Sequence, residues 1–211
     1  MSFGFPLVYP ILDSSSIPVA GRAAFLDRLG RSLADAGVRL LEYRNKNETD
    51  TDVLADARIL RRTMPAAKLV MDDRVDIALA AEFDGAHVDA GDLPVADTRR
   101  LLGTDRVLGT SAGSEEQLIE ALAGGADYIA FGPVYPTTTK QTSVPPIGIE
   151  GVRRFREVAG TAPVLVAAAG ITLQTAPAVL EAGASVVAVS AAIFRHIDPA
   201  AEFRRWIAAL G

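Results

Sequence analysis

Eight short apolar runs alternate with longer amphipathic segments along the chain, and this alternation constrains the fold more than any other feature. The runs cover residues 7–12, 38–44, 67–73, 85–89, 107–111, 128–132, 164–170 and 186–193. Their short length, their Val, Ile, Leu and Tyr content and their turn-rich borders predict strands. The segments between the runs predict helices over residues 20–36, 49–63, 74–83, 95–102, 114–124, 149–159, 173–182 and 199–210.

This order of elements predicts a single α/β domain over residues 1–211. Strands that alternate with helices form a parallel sheet. Eight such units in 211 residues favour a (β/α)8 TIM barrel, with an open doubly wound sheet as the alternative. Two helix starts are marked by capping residues: Ser114 with Gln117 three positions later, and Asp198 directly before Pro199.

Composition excludes several classes of function. A net charge of −5 argues against general nucleic-acid binding, although a local basic pocket for a phosphorylated small molecule is compatible with it. The absence of Cys excludes disulfides, thiolate nucleophiles and Cys-based metal sites. The first residues do not resemble a signal peptide, and no apolar stretch is long enough to span a membrane. We therefore expect a cytoplasmic protein without a membrane partner, with association into a homo-oligomer left open.

In a barrel of this type the chemistry lies at the carboxyl ends of the strands. Arg44 and Lys46 stand two residues apart at the end of the second run, so both face one side of an extended strand. Two cations on one side suit a polyanion such as diphosphate. The alternative is a solvated strand end without a binding role.

Two acidic residues follow the third and fourth runs. Carboxylates such as Asp73 and Asp92 beside a phosphate are suitable ligands for Mg²⁺. The alternative is that each caps the helix that follows it. His87, between Ala86 and Val88, is a candidate base, but its apolar neighbours favour a packed histidine.

Phosphate binding is predicted at two further places. Residues 133–148 form the longest irregular segment, in which Thr137, Thr139 and Lys140 offer hydroxyl groups and a cation that could close over a phosphate or diphosphate. Gly170 and residues 189–190 (Val189 and Ser190) lie at the ends of the last two strands, after which loops often present backbone N–H groups to phosphate. The alternative for Gly170 is a tight turn that needs glycine.

Together these segments resemble the thiamine phosphate synthase family in order and spacing along almost the whole chain. The most specific likeness is Gly-Pro-Val-Tyr-Pro-Thr-Thr-Thr-Lys at residues 132–140, which is similar to the family's Gly-Pro-Val-Phe-x-Thr-x-Thr-Lys signature. The other matching segments are Tyr-Arg-Asn-Lys at 43–46, Asp-Asp-Arg at 72–74, Gly-Ala-His at 85–87, Asp-Leu-Pro at 92–94, Ala-Gly-Ile-Thr at 169–172 and Ala-Val-Ser-Ala at 188–191.

The resemblance implies an enzyme, a transferase that joins 4-amino-2-methyl-5-hydroxymethylpyrimidine diphosphate to a thiazole phosphate and releases diphosphate. In the family, diphosphate leaves first and the thiazole nitrogen traps a pyrimidine-methyl cation. Carried over residue by residue, the implied roles are diphosphate binding by Arg44, Lys46 and Lys140, contact with diphosphate near the reacting carbon by Ser111, Mg²⁺ binding by Asp73 and Asp92, and thiazole-phosphate binding by Thr137, Thr139, Gly170, Val189 and Ser190.

This chain departs from the family pattern at several of these positions. Glu42 and Asp72, both expected at the substrate, stand where the family usually has Gln and Asn. Residues 89–91 are Asp-Ala-Gly in place of Gly-Gln followed by an acid, and Ala169 replaces a glycine. Acids beside a diphosphate must be neutralised by a metal, by a cation or by protonation, because like charges at short range repel.

Three other functions remain open. The first is a thiazole tautomerase of the same superfamily, although those proteins have His where Pro133 stands. The second is a sugar-phosphate isomerase or epimerase, which would need an acid/base pair such as Asp72 or Asp89. The third is a non-catalytic paralogue that binds thiazole phosphate and regulates another process, which the departures support.

Overall fold

Eight parallel strands pair in chain order and close into a barrel. The protein is represented by a computed structural model, which describes residues 4–137, 144–161 and 163–211. Pairing of the eighth strand with the first completes the ring, so the barrel is confirmed and the open sheet is wrong. The strands are β1 Val8–Asp13, β2 Leu40–Arg44, β3 Lys68–Asp72, β4 Gly85–Val88, β5 Val107–Ala112, β6 Tyr128–Phe131, β7 Val164–Ala168 and β8 Val186–Val189.

Helices follow the strands and surround the barrel. They are α1 Arg22–Asp35, α2 Asp50–Thr63, α3 Val75–Ala80, α4 Val95–Leu102, α5 Glu115–Ala123, α6 Gly148–Ala159, α7 Ala176–Glu181, α8 Ala191–Phe194 and α9 Pro199–Leu210. All eight predicted helices are present, with α3 and α7 shorter than expected. In the described part of the chain, no helix is long and apolar enough to cross a membrane.

The eighth strand is shorter than its apolar run predicts. It ends at Val189, and the backbone N–H groups of Ile193 and Phe194 donate to Ser190 O, which makes the rest of the run a short helix. Periodicity cannot separate a buried strand from a buried helical turn when both are apolar throughout. The expected end of this strand at residues 189–190 is therefore confirmed, although the apolar run itself continues into a helix.

Side-chain caps begin two helices as predicted. Ser114 Oγ accepts the N–H of Gln117 at the start of α5, and Asp198 Oδ1 accepts the N–H of Ala201 at the start of α9. Gln117 Oε1 in turn accepts the backbone N–H of Gly113, which precedes the cap residue. These caps satisfy N–H groups that have no partner within the helix.

Two apolar layers stabilise the fold. The larger lies between barrel and helices, and the smaller fills the barrel with Tyr9, Leu40, Val70, Val107, Tyr128, Val166, Val186 and Ala188. Large buried side chains in a closed parallel barrel leave no water channel through it. The carboxyl end is therefore the part of the barrel interior where polar side chains gather around a cavity.

Candidate active site

A cavity of about 480 Å³ opens at the carboxyl end of the barrel. Most of the predicted site residues line it, namely Glu42, Arg44, Asp72, Ser111, Thr137, Gly170, Val189 and Ser190. Lys46 forms ion pairs with Asp72, which lines the cavity, and with Asp73. Asp92 lines a neighbouring pocket. Thr139 and Lys140 lie outside the described residues.

Arg44 and Lys46 converge on one carboxylate, as two cations on the same side of a strand should. Arg44 Nε lies 3.3 Å and Lys46 Nζ 3.5 Å from Asp72 Oδ2. Lys46 Nζ also lies 2.5 Å from Asp73 Oδ2. Their convergence on buried acids at the cavity argues against the solvated strand end.

Asp13 is a site residue that the sequence reasoning missed. It pairs with Arg44 in the register of β1 and β2, and Arg44 Nη1 donates to Asp13 Oδ2 at 2.5 Å. Burial alone would raise the pKa of Asp13, but hydrogen bonds from Ser15 and Arg44 hold it below its ordinary value. The available signal was an acid at the carboxyl end of the first strand, followed by three serines.

An acidic cluster stands next to the cations. Asp72, Asp73 and Asp89 can each offer an oxygen within 4.8 Å of the others. Among the described residues, Asp72 Oδ2 and Asp73 Oδ1 are buried and accept no hydrogen bond. Asp73 has a φ of 62°, which is unusual for a residue other than glycine. Carboxylate oxygens arranged in this way fit the donor preference of Mg²⁺.

The helix-cap interpretation of Asp73 and Asp92 is wrong. Within the described residues, neither α3 nor α4 receives a side-chain hydrogen bond at its cap position. Asp92 Oδ2 instead accepts the backbone N–H of Asp89 at 2.8 Å. Burial raises the pKa of Asp92, and the nearby Asp73 carboxyl contributes. Both acids are therefore available to the site and not to a helix start.

Glu42 and Asp72, the two buried acids that stand where the family usually has amides, both have raised pKa values. Burial raises the pKa of Asp72 to about 7, and the charge of Glu42 adds to the shift. Burial likewise raises the pKa of Glu42. Desolvation disfavours the ionised form of a carboxyl group. These shifts reduce the negative charge that the extra acids place near a bound anion.

A chain of hydrogen bonds crosses the barrel beneath the cavity. Tyr9 Oη lies 3.1 Å from Tyr128 Oη, His87 Nδ1 lies 3.0 Å from Tyr128 Oη, and His87 Nε2 lies 2.9 Å from Ser111 Oγ. Burial opposes the charging of His87, but Asp89 and Glu42 outweigh it and raise its pKa to about 8. The burial of His87 is confirmed, and the structure adds its contact with the predicted site residue Ser111.

Another part of the cavity wall is formed by the turns after β7 and β8. Gly170 has a φ of 70°, and a Cβ there would lie 2.6 Å from the carbonyl oxygens of Tyr135 and Pro136. The turn therefore requires glycine, as the alternative interpretation held. Ser190 Oγ is buried and has no hydrogen-bond partner among the described residues. This unsatisfied hydroxyl and the turn backbone form a second polar part of the cavity lining.

Known proteins of one family match this chain. The family described as Thiamine monophosphate synthase matches residues 8–193. The thiamine-phosphate synthase of Koribacter versatilis (strain Ellin345) is 37% identical over 195 residues, which cover 92% of this chain and 90% of the relative. That of Chlorobium phaeovibrioides (strain DSM 265 / 1930) is 34% identical over 196 residues, with coverage of 92% and 89%.

A solved structure agrees with these relatives. The thiamine phosphate pyrophosphorylase from Pyrococcus furiosus superposes with a TM-score of 0.81 at 28% identity and covers 97% of this chain and 96% of its own. The likeness thus extends over almost the whole barrel. The chain belongs to the thiamine monophosphate synthase family and is a transferase.

Proposed function

We propose that this protein joins 4-amino-2-methyl-5-hydroxymethylpyrimidine diphosphate to a thiazole phosphate, with release of diphosphate. One observation carries the proposal: a single cavity is lined by Arg44, which pairs with the same acid as Lys46, and by the turns after β7 and β8. Arg44 and Lys46 meet at Asp72 at the ends of β2 and β3, and Gly170 and Ser190 lie at the ends of β7 and β8. Two anionic substrates could therefore bind with their reacting ends toward each other.

The reaction depends on electrostatic stabilisation of the leaving diphosphate more than on a nucleophilic side chain. The bond between the pyrimidine methylene carbon and the diphosphate oxygen breaks, and the electron pair leaves with diphosphate. Arg44, Lys46 and Lys140 would hold the charge that develops on the leaving oxygen. Ser111 would contact the diphosphate near the reacting carbon, with its hydroxyl oriented by His87. The thiazole nitrogen then forms the new carbon–nitrogen bond.

The cavity wall suits a cationic intermediate. Its lining includes Tyr9, Tyr128, Ile11, Val166 and Ala188. Aromatic and aliphatic side chains exclude water, which would otherwise capture a pyrimidine-methyl cation before the thiazole does. The turn backbone at Gly170, together with Val189, Ser190, Thr137 and Thr139, would hold the thiazole phosphate.

Mg²⁺ is proposed as the cofactor. Asp73 and Asp92 would supply carboxylate oxygens to it when diphosphate is bound, and the cation would neutralise negative charge on the leaving group. The extra acids are compatible with this binding, because Arg44 and Lys46 pair with Asp72, and the raised pKa values of Asp72 and Glu42 favour protonation.

The test is diphosphate release from purified protein. The protein is incubated with the pyrimidine diphosphate and the thiazole phosphate, and each substrate and Mg²⁺ is omitted in turn. We expect release only when all three are present. Absence of release, with thiazole phosphate still bound in a calorimetric titration, would contradict the proposal and favour the non-catalytic alternative. The positions of Pro133, Lys46 and Lys140 favour the synthase over the tautomerase.

A further inference from the structure

The residues of β2 and of the turn after it alternate between the cavity and the helices. Glu42 and Arg44 line the cavity, whereas Tyr43 packs in the apolar layer between barrel and helices. Successive side chains of a strand point to opposite faces, and the alternation continues past the strand end. Asn45 is buried and bonds to Tyr43, and Lys46 reaches the acids of the site. Asn45 therefore lies on the helix side of the strand, behind the cavity wall.

Asn45 holds the turn that carries Lys46. Asn45 Oδ1 accepts the backbone N–H groups of Asn47 at 3.2 Å and of Glu48 at 3.3 Å. Asn side chains commonly stabilise turns in this way, and here the two bonds enclose Lys46 within residues 45–48. The orientation of the amide is fixed, because its reverse would place the NH2 group against two N–H donors. The direction in which the Lys46 side chain leaves the backbone is therefore set by Asn45.

The amide nitrogen of Asn45 anchors the turn to a buried network. Nδ2 donates to Tyr43 Oη at 2.8 Å, and Tyr43 Oη donates to Asp56 Oδ2 at 2.5 Å. Arg22 Nε donates to the same carboxylate oxygen at 2.7 Å, and its Nη2 donates to Tyr43 Oη at 3.3 Å. Arg22 Nη1 also donates to Glu48 Oε1 at 3.0 Å, within the turn itself. The Tyr43 hydroxyl thus uses its donor and both lone pairs, and the turn is tied to α1 and α2.

We propose that Asn45 is a positioning residue that acts on the reaction through Lys46: it holds the turn, and the turn holds the Lys46 ammonium group where the leaving diphosphate would bind. The inference rests on the proposed function, which gives Lys46 its role as a diphosphate-binding cation. A lysine side chain has many rotamers, so a fixed backbone at its Cα limits the positions that the ammonium group can reach. Position matters because a displacement of about 1 Å can cost about 100-fold in rate.

The test is a double-mutant cycle on Asn45 and Lys46 with two readouts. The first is kcat for diphosphate release with both substrates and Mg²⁺. The second is the Kd of inorganic diphosphate, measured by calorimetry with Mg²⁺ and without the organic substrates. We expect Asn45→Ala to lower kcat by about tenfold and to raise the Kd of diphosphate, because the ammonium group is misplaced. The KM for the thiazole phosphate should stay unchanged, since its proposed site is at the turns after β7 and β8.

The double variant distinguishes positioning from a general loss of structure. Lys46→Ala should lower kcat about 100-fold, and the variant with both substitutions should be no slower, because the positioned group is already gone. Independent effects would instead multiply to about 1000-fold.

Asn47→Ala is the matched control. It removes an exposed amide side chain from the same turn and keeps the backbone N–H that bonds to Asn45, so it should keep the wild-type kcat. Asn45→Ser cannot reach Tyr43 Oη and bonds the turn more weakly. It takes the place of Asn45→Ala in the cycle if that variant does not fold.

Three results would overturn the proposal: wild-type kcat and diphosphate affinity in Asn45→Ala, losses that multiply in the double variant, or an equal loss in Asn47→Ala. The two readouts separate this inference from the proposed function. Diphosphate binding with a non-additive cycle, but without release by the wild type, would refute the synthase activity and leave the positioning role established. Release with an additive cycle would refute the positioning role and leave the activity established. A wild type that neither binds nor releases diphosphate would refute both.

Discussion

The ring of Tyr128 fills the space directly beside the Gly109 backbone, so a Cβ at residue 109 would lie 2.0 Å from Tyr128 Cζ. The two residues pair across β5 and β6. Only a residue without a side chain allows the ring to stand inside the barrel. There the Tyr128 hydroxyl contacts both Tyr9 and His87, so Gly109 supports the hydrogen-bonded chain beneath the cavity.

Gly109→Ala should therefore destabilise the protein. The added methyl group must displace Tyr128, and overpacking of a core typically costs about 1–3 kcal/mol. Thermal and urea unfolding measure the loss. Gly4→Ala is the matched control, because nothing lies within 4 Å of a Cβ there. Equal stability of Gly109→Ala and the wild type would show that the ring moves aside without cost.

Tyr43→Phe should destabilise the protein, because the Tyr43 hydroxyl takes part in a buried hydrogen-bond network. The Tyr43 hydroxyl donates to Asp56 Oδ2 at 2.5 Å and accepts from Asn45 Nδ2 at 2.8 Å. Loss of the hydroxyl group leaves the Asp56 carboxylate and the Asn45 amide short of a hydrogen-bond partner, which costs about 1–3 kcal/mol of stability. Urea unfolding at neutral pH gives the difference. An unchanged midpoint would mean that water replaces the hydroxyl group.

Asp84 should make stability depend on pH in the acid range. Burial would raise its pKa, but hydrogen bonds from Lys68 and the Leu69 N–H, together with Arg61, hold it below its ordinary value. A carboxyl whose pKa is lower in the folded state stabilises the protein above the unfolded pKa, and the contribution is lost as the pH falls through the folded pKa.

Asp84→Asn should thus lower the free energy of unfolding at pH 7, and the difference from the wild type should shrink as the pH falls below about 4. Urea unfolding at several pH values measures this convergence. The Asp105→Asn variant, at an exposed position, serves as the control. Its free energy of unfolding should differ little from that of the wild type at each of these pH values. A difference that stayed constant with pH would attribute the effect of Asp84→Asn to packing.

Lys46→Ala and Lys140→Ala should each lower turnover about 100-fold, because each removes charge that stabilises the leaving diphosphate. Initial rates of diphosphate release at saturating substrates measure this effect. Arg31→Ala, which removes an exposed cation from α1, should keep the wild-type rate. Wild-type turnover in either lysine variant would remove that lysine from the mechanism.

Much of the fold was predictable because its signals are local. Each buried strand shows as an apolar run, and caps such as Ser114 and Asp198 mark helix starts within three residues of their partners. The rim residues, including Arg44 and Ser190, followed from one rule about the carboxyl ends of barrel strands. Those inferences need no knowledge of which distant residues touch.

The sequence by itself determined the order of strands and helices, favoured a barrel over an open sheet, and indicated the end of the barrel at which the candidate site lies. Only the tertiary structure placed Asp13 on Arg44, joined His87 to Ser111, and brought Asp89 to Asp72 and Asp73. It also showed that the part of the last apolar run beyond the end of β8 forms a short helix, Ala191–Phe194. The physical reason is that strand pairing and barrel closure set these contacts between residues far apart in the chain, whereas periodicity and capping act over a few neighbouring residues.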